Sequence, residues 1–360
     1  MSDLVHDLWT SWERKRVENA EPIGPPELCQ LLQELFDKPG AADRWTKRQA
    51  LKPDVYRLPA AVGTGEYAVI VKRLDPSRGR RNQLVAKRWL PAVGLGGCVP
   101  SLLGIAAERS GAWVWHVYED VGDGVLETKD PDPARLEAAV ELIAQIHMRF
   151  AGHRLLAECR LCGEDFGAVF FGANLRDAIR SLEALRSLTL PDRQSFEITP
   201  EQAALRDRLL ERLHELLDQE TQRARLLVEY GGPETLLHGD LWTTNVLITP
   251  GCDGPQARLI DWDHVGVGPI SYDLSTFLAR FPIPDRPQIL GLYRRRVGRC
   301  GWRLPTISVL NALFDTAECA RLANRVIWPA LAVTDGQAEW GFEELARVEQ
   351  WLEELRPVLL

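Results

Sequence analysis

The sequence predicts an α+β fold in which a small antiparallel β-rich region precedes a larger, mainly helical region. Short runs rich in β-branched residues, separated by turn signals, fill residues 48–120. Beyond residue 121, apolar residues recur at helical spacing over long stretches. We therefore expect three parts: an N-terminal helical extension (1–45), a small lobe (46–120) and a large lobe (121–360).

Composition narrows the class of protein. A chain of 360 residues with 45% apolar and 26% charged residues is typical of a soluble globular protein. The net charge of −8 argues against a nucleic-acid partner, because binding to phosphate backbones needs clustered positive charge. No apolar run approaches the ~20 residues that cross a bilayer, and the first 19 residues lack the pattern of a signal peptide. These features predict a protein without a membrane partner.

The cysteines predict a cytoplasmic location. Seven cysteines, an odd and scattered set, suit a reducing compartment. Cys159 and Cys162 have a metal-like spacing, but one such pair supplies only half of a tetrahedral zinc site.

The N-terminal extension should contain a helix that packs on the body of the protein. A regulatory or dimerising role is the alternative. The apolar residues at helical spacing are Leu28, Leu31, Leu32, Leu35 and Phe36.

The small lobe should contain four strands and one helix. A hairpin turn is expected at Gly63-Thr64-Gly65, between the first two strands. The predicted strands are 55–60, 67–72, 99–105 and 113–118, and the predicted helix is 80–90.

The large lobe should be built mainly from helices. Thr199 is expected to cap one of them, with Pro200 in its first turn and Gln202 completing a capping box. The other predicted helices are 134–150, 307–327 and 342–355.

A polar loop from His238 to Asn245 lies between two short apolar strands. The carboxylate of Asp240 can accept a proton from a hydroxyl, and the amide oxygen of Asn245 can bind Mg²⁺. Asp and Asn in a turn often only hydrogen-bond their own backbone, so the loop alone does not decide between these readings.

A second polar motif favours the metal site. The strand Arg258-Leu259-Ile260 delivers Asp261 and Asp263. Two hairpin-linked strands with oxygen ligands at their ends predict a Mg²⁺ site. This spacing is also what phosphoryl transfer from a nucleotide requires.

These motifs, followed by Tyr272-Asp273-Leu274, resemble the aminoglycoside phosphotransferase and choline kinase family. The resemblance covers roughly residues 48–280 and implies the protein-kinase-like, two-lobed fold. It implies a kinase that uses Mg²⁺ and ATP, or GTP, to phosphorylate a small-molecule hydroxyl.

The resemblance also implies roles for individual residues. Asp240 would be the catalytic base or orient the hydroxyl, and Asn245 and Asp261 would hold Mg²⁺. His238 and Asp273 would brace the catalytic loop. The role of Asp263 stays open between an acid behind the metal ligands, a neighbour of the metal and a surface residue.

Lys72 fits the family's lysine for the α- and β-phosphates, because it ends a predicted strand. Lys87 is a competitor, but the segment from it to Val99 is too short for the helix that must follow this lysine. The helix after Lys72 lacks the expected Glu, and Gln83 is the nearest replacement. The predicted phosphate-covering loop, 49–54, contains no Gly.

Glu119, Asp120 and Val121 resemble the family's hinge, where backbone groups would pair with the purine edge. The side chains of Glu119 and Asp120 would then be solvated or contact the ribose.

A small acceptor is favoured because the segment from Asp261 to Asp273 is short and lacks the Ala-Pro-Glu anchor of protein kinases. The acceptor pocket is expected from helices between 166 and 230 and after 304. Trp and acidic side chains there could hold an amine, or could form an ordinary helix surface.

An antibiotic or related natural product is the first expectation for the acceptor, as in resistance or self-protection. A metabolic kinase for an amino alcohol or sugar is the runner-up. A catalytically inactive binding module is the rival from another class.

Overall fold

The computed structural model describes residues 25–36, 45, 47–62, 65–187, 198–336, 338 and 340–359. The chain forms two compact units. The first combines Met1–Arg149 with His238–Val265, and the second combines Phe150–Leu237 with Gly266–Leu360. The three-part division drawn from the sequence stays a prediction.

The first unit is built on a five-stranded antiparallel sheet in the order β1-β2-β3-β5-β4. All four predicted strands are present, with ends that differ by a few residues. The predicted turn at 63–65 lies largely outside the described residues. The strands are β1 Gln49–Lys52, β2 Val55–Val62, β3 Gly65–Leu74, β4 Leu102–Ala107 and β5 Val114–Glu119.

The strand β1 was not predicted and corrects the expected covering loop. Residues 49–52 pair with β2, so only Pro53 and Asp54 remain as a turn. Pro pre-sets its own φ, and Asp54 adopts a positive φ of 56° that Asp tolerates better than most residues.

The predicted N-terminal helix is α1, Pro26–Phe36, which packs on this sheet. Its apolar face buries Leu28, Leu32 and Phe36. Gly104 in β4 lets the helix approach closely, because a Cβ there would lie 2.9 Å from Leu31.

The helix after β3 begins earlier than predicted. Asp75 caps α2, Pro76–Leu84, by accepting hydrogen bonds from the backbone N–H groups of Ser77 and Arg78. A π-helical turn, Val85–Trp89, continues it. Lys87 lies in that turn and not in a strand.

The first unit also contains the helix α3, Pro133–Phe150, up to Arg149, and one hairpin. The hairpin pairs β8, Val246–Gly251, with β9, Gly254–Leu259. It links the two polar motifs, as the sequence predicts.

The second unit is mainly helical. The predicted capping box is present: Gln202 N–H donates to Thr199 Oγ1 at 3.2 Å, and Thr199 N–H donates to Gln202 Oε1 at 2.9 Å. The helices are α4 Leu156–Cys162, α5 Ala168–Ala184, α6 Pro200–Leu217, α7 Glu220–Tyr230, α8 Ser271–Ala279, α9 Arg286–Gly298, α10 Ile307–Gly336 and α11 Trp340–Glu354.

A three-stranded sheet, in the order β6-β10-β7, completes this unit. Its strands are β6 Glu164–Asp165, β7 Thr235–Leu237 and β10 Gly266–Gly268. The main core lies among α5, α6, α10 and α11. Within the described part of the chain, no helix is both long and apolar enough to cross a membrane.

Candidate active site

The first polar motif forms a tight loop whose shape depends on Gly239. Its φ of 81° lies in the left-handed region. A Cβ at this position would lie 1.9 Å from the carbonyl oxygen of His264. No larger residue fits, so the glycine lets the loop run against the second polar motif.

His238 connects the loop to the strand beside it. Its ring is almost fully buried, and Nε2 lies 2.9 Å from the carbonyl oxygen of Ile260. The backbone N–H of Asp240 donates to His238 Nδ1 at 3.3 Å. His238 thus contacts both the loop and the chain that leads into Asp261, and its expected bracing role stays a prediction.

Asp240 and Asn245 lie together in the same loop. The Asn245 amide donates to the backbone oxygen of Asp240 at 2.9 Å and lies 3.4 Å from Asp240 Oδ2. The amide nitrogen is thus committed to the loop. The amide oxygen, Asn245 Oδ1, is buried and has no hydrogen-bond partner among the described residues.

The unpaired oxygen of Asn245 is the observation that fits a metal. A buried polar atom without a partner is costly, and an amide oxygen is a ligand for Mg²⁺. The backbone N–H of Ile260 donates to the carbonyl oxygen of Asn245 at 3.0 Å, which ties the loop to the chain leading into Asp261.

Asp261 begins the second motif in the left-handed region, with φ 68° and ψ 56°. It precedes a single 3₁₀ turn, Trp262–His264. Lys72 Nζ lies 2.5 Å from Asp261 Oδ1. Burial alone would raise the pKa of Asp261, but Lys72 and Lys52 outweigh it and hold that pKa well below its usual range.

Asp263, whose role the sequence left open, is also a partner of Lys72. Lys72 Nζ lies 2.7 Å from Asp263 Oδ1, and the Asn82 amide donates to the same oxygen at 2.9 Å. Arg81 donates to the backbone oxygen of Asp263 at 3.1 Å. Burial opposes the charge of Lys72, yet Asp261 and Asp263 raise its pKa above its ordinary value.

The expectation that Gln83 holds Lys72 is not what the structure shows. Gln83 is exposed on α2, whereas Asn82, one position earlier, is buried and faces Asp263. A step of one residue turns a helical side chain by about 100°. The acid opposite Lys72 therefore comes from the Asp261-Trp262-Asp263 motif and not from the helix.

Lys52, at the end of β1, was not predicted as a site residue. Its Nζ lies 3.8 Å from Asp261 Oδ2. The sequence could have indicated Lys52 only through its position in the segment 49–54, which was expected to cover the phosphates.

Both acidic side chains of the predicted hinge form ion pairs with arginines. Asp120 pairs with Arg57 at 2.7 Å, and Glu119 pairs with Arg258. Pairing of the purine with backbone groups near Val121 stays a prediction.

Asp273 lies in α8 of the second unit and is 2% exposed. Burial and the charge of Asp273 together raise the pKa of Tyr293. Its expected bracing of the catalytic loop stays a prediction.

The oxygen ligands at this site suit a metal ion that the protein binds through few side chains and that a substrate coordinates as well. Within the described ranges, no group of three or more His, Cys, Asp or Glu side chains could hold a metal ion. Mg²⁺ commonly takes one or two protein ligands and completes its coordination with phosphate oxygens and water. Asn245 Oδ1 and the Asp261 carboxylate fit that pattern.

Comparison with protein families gives one result that covers most of the chain. The model described as "Phosphotransferase enzyme family" matches residues 51–307. A comparison with curated proteins finds no match.

Solved structures with a kinase-like fold resemble this chain at low sequence identity. A spectinomycin phosphotransferase in complex with ADP and spectinomycin has a TM-score of 0.54 and 13% identity, covering 94% of this chain and 97% of that one. An ethanolamine kinase from Plasmodium vivax has a TM-score of 0.52 and 13% identity, covering 84% and 81%. A choline/ethanolamine kinase family protein from Mesorhizobium loti has a TM-score of 0.50 and 14% identity, covering 90% and 94%.

Proposed function

The chain belongs to the phosphotransferase enzyme family and is a small-molecule kinase with an alcohol group as acceptor; from that premise we propose its donor, its metal and its acceptor class. The donor is ATP, with GTP as the alternative. The metal is Mg²⁺. The acceptor is an antibiotic or related natural product.

The unpaired Oδ1 of Asn245 is the observation that supports the metal and the nucleotide of this proposal most directly. It lies in the same loop as Asp240 and is tied through Ile260 to Asp261. Hydrogen bonds within the first unit therefore bring the carboxylate of Asp240, the amide oxygen of Asn245 and the carboxylate of Asp261 into one small region. Phosphoryl transfer depends mainly on such positioning and on charge stabilisation.

Each residue has a distinct task in the proposed reaction. Asp240, partly exposed in its loop, orients the acceptor hydroxyl and takes up its proton. Asn245 and Asp261 would hold Mg²⁺, which when bound would offset charge on the transferring phosphoryl group. Lys72 binds the α- and β-phosphates, and its ammonium stays charged because Asp261 and Asp263 surround it.

The proposed acceptor class does not depend on a negatively charged pocket of free acids that would bind the amine of an acceptor. Three acids of the C-terminal helices are already paired with arginines: Asp315 with Arg223 at 2.7 Å, Glu318 with Arg321 at 2.5 Å, and Glu344 with Arg347. A cationic acceptor would have to compete with these arginines.

A substrate panel tests the acceptor class. The panel contains aminoglycosides, spectinomycin, macrolides, nucleoside antibiotics, choline and ethanolamine, and nucleotide consumption is measured with Mg²⁺-ATP and Mg²⁺-GTP. Turnover on an antibiotic supports the proposal. Turnover on choline or ethanolamine alone would assign a metabolic kinase, and binding of nucleotide without any turnover would favour the inactive module.

Replacing Asp240 tests the catalytic assignment. Asp240→Ala should lower kcat by roughly 10²–10⁴-fold, since it removes the group that accepts the proton and orients the hydroxyl. The affinity for Mg²⁺-ADP, measured by calorimetry, should stay within about threefold because the nucleotide ligands remain. Unchanged turnover would refute the assignment.

A further inference from the structure

Lys52 and Lys72 share one face of the sheet, as the strand register shows. Lys52 is paired with Val55 across β1 and β2, and Val55 is paired with Lys72 across β2 and β3. Residues directly opposite each other in an antiparallel sheet project their side chains to the same face. The two lysines are separated by two strand spacings, about 9.6 Å.

A β-bulge places Lys52 in this row. The pairing shifts by one residue between Ala50, opposite Tyr56, and Lys52, opposite Val55, so that Leu51 is the extra residue. In an unbulged ladder Leu51 would face Val55, and Lys52 would lie beyond the last pair. Bulges commonly re-aim a side chain in this way.

Both ammonium groups lie near one carboxylate. Lys72 Nζ is 2.5 Å from Asp261 Oδ1, and Lys52 Nζ is 3.8 Å from Asp261 Oδ2. The contact of Lys52 is too long for a hydrogen bond, and its side chain is 33% exposed. The side chain of Asp261 is 30% exposed, so the pair is partly open to solvent, and a contact of this length adds little to the position of Lys52 beyond its charge.

The turn beside Lys52 cannot cradle phosphates in the usual manner. A glycine-rich loop binds phosphates through backbone N–H groups, which glycine lets approach closely. Here the segment from Gln49 to Asp54 has no glycine, and Pro53 has no N–H to donate. A phosphate lying against this hairpin would need a cationic side chain in place of the backbone amides.

We propose that Lys52 binds the β- and γ-phosphates of the nucleotide and replaces the backbone cradle of a glycine-rich loop. The inference rests on the proposed function, because it assumes that a nucleotide binds at Asp261 and Lys72. Lys52 is then a nucleotide-binding residue that moves from the carboxylate to the phosphates when nucleotide and metal arrive. The flexible four-carbon stem of lysine permits that short movement.

The test is nucleotide binding by calorimetry, without an acceptor. Wild type, Lys52→Met and Lys52→Arg are titrated with AMP, ADP and a non-hydrolysable ATP analogue in the presence of Mg²⁺. Lys47→Met is the matched control, because Lys47 is an exposed lysine just before β1. Lys52→Met should weaken ADP and the ATP analogue about tenfold, in line with one lost charge-assisted contact.

The proposal is tested by comparing the changes in affinity for AMP, ADP and the ATP analogue. AMP binding should stay within about twofold in Lys52→Met, which also shows that the variant is folded. Lys52→Arg should recover most of the loss, and Lys47→Met should match wild type. Equal losses for AMP and ADP, no loss, or tighter binding of ADP would each overturn the proposal. If wild type binds none of the three, the proposed function fails and this inference fails with it.

Discussion

At the scale of single residues, backbone conformation decides where Asp261 points. Asp is one of the few non-glycine residues that tolerates the left-handed region, because its short side chain can be satisfied locally. Asp261 follows the end of β9 at Leu259, and the centroid of the Trp262 ring lies 4.6 Å from that of the His238 ring. These rings and the hydrogen bond from His238 to Ile260 place the two polar motifs in direct contact.

The acid opposite Lys72 gives a prediction for Asp263. Asp263→Asn should lower kcat/KM by about tenfold or more, because Lys72 loses one of the two charges that hold its ammonium in place. Steady-state kinetics with varied nucleotide would measure this loss. Gln83→Ala is the control and should behave as wild type, since Gln83 is exposed; a large effect of Gln83→Ala and none of Asp263→Asn would contradict the assignment.

His116 gives a prediction for the dependence of stability on pH. Burial, aided by the nearby charge of Lys72, lowers the pKa of His116 to about 4 from an ordinary value of 6.5. Its folded state therefore binds fewer protons than its unfolded state between these values, so the contribution of His116 to stability falls as pH falls from about 6.5 to about 4. This contribution to the free energy of unfolding is about 3–4 kcal/mol at most.

Urea unfolding at pH 7, 5.5 and 4.5 would measure this effect. His116→Gln should be less stable at pH 7 but should lose less free energy of unfolding on acidification than wild type. Parallel losses in the two proteins would show that other groups carry the pH dependence.

At the scale of elements, the hairpin of β1 and β2 departs most from the sequence-based expectation. A four-residue strand with three exposed residues has no apolar alternation to reveal it. Its pairing depends on β2 and on the turn at Pro53, and its bulge is a property of that pairing. Local sequence indicated the turn residues but not the strand.

The helix α1 should contribute to the stability of the sheet. Leu32 is 1% exposed in a cluster with Trp45, Tyr56 and Trp115. Leu32→Ala should lower the free energy of unfolding by about 2–5 kcal/mol, through lost burial and the cavity left behind. Denaturant unfolding measures this, with exposed Gln30→Ala as the control; a cost below about 0.5 kcal/mol would show that the helix is dispensable for the sheet.

At the scale of the whole molecule, the chain order and the compact units do not coincide. Both polar motifs lie in residues His238–Val265, which belong to the first unit together with the N-terminal sheet. The residues just before and just after this segment belong to the second, helical unit. The family match at 51–307 spans parts of both units. Lys72 therefore meets Asp261 across 189 positions of sequence.

Such a long-range contact explains why the site was only partly predictable. Asp240, Asn245 and Asp261 were identifiable because five- and sixteen-residue separations within one loop and one hairpin are set locally. The partners of Lys72 were not identifiable, because they are Asp261 and Asp263 of a distant segment and not a residue of α2. Which face of α2 lies against Asp263 also depends on packing. Adjacent Asn82 and Gln83 are both amides, and only packing separates the buried one from the exposed one.

By itself, the sequence determined the α+β class, four strands of the sheet, the main helices, the capping box at Thr199 and the polar residues of the two motifs. Periodicity, turn chemistry and short spacing are local properties, so they can be read along the chain. Only the tertiary structure decided that Asp263 faces Lys72, that Asn245 keeps an unpaired oxygen, and that Lys52 reaches Asp261. Each of these depends on register, helix rotation or burial, which arise when distant segments pack together and which no single segment encodes.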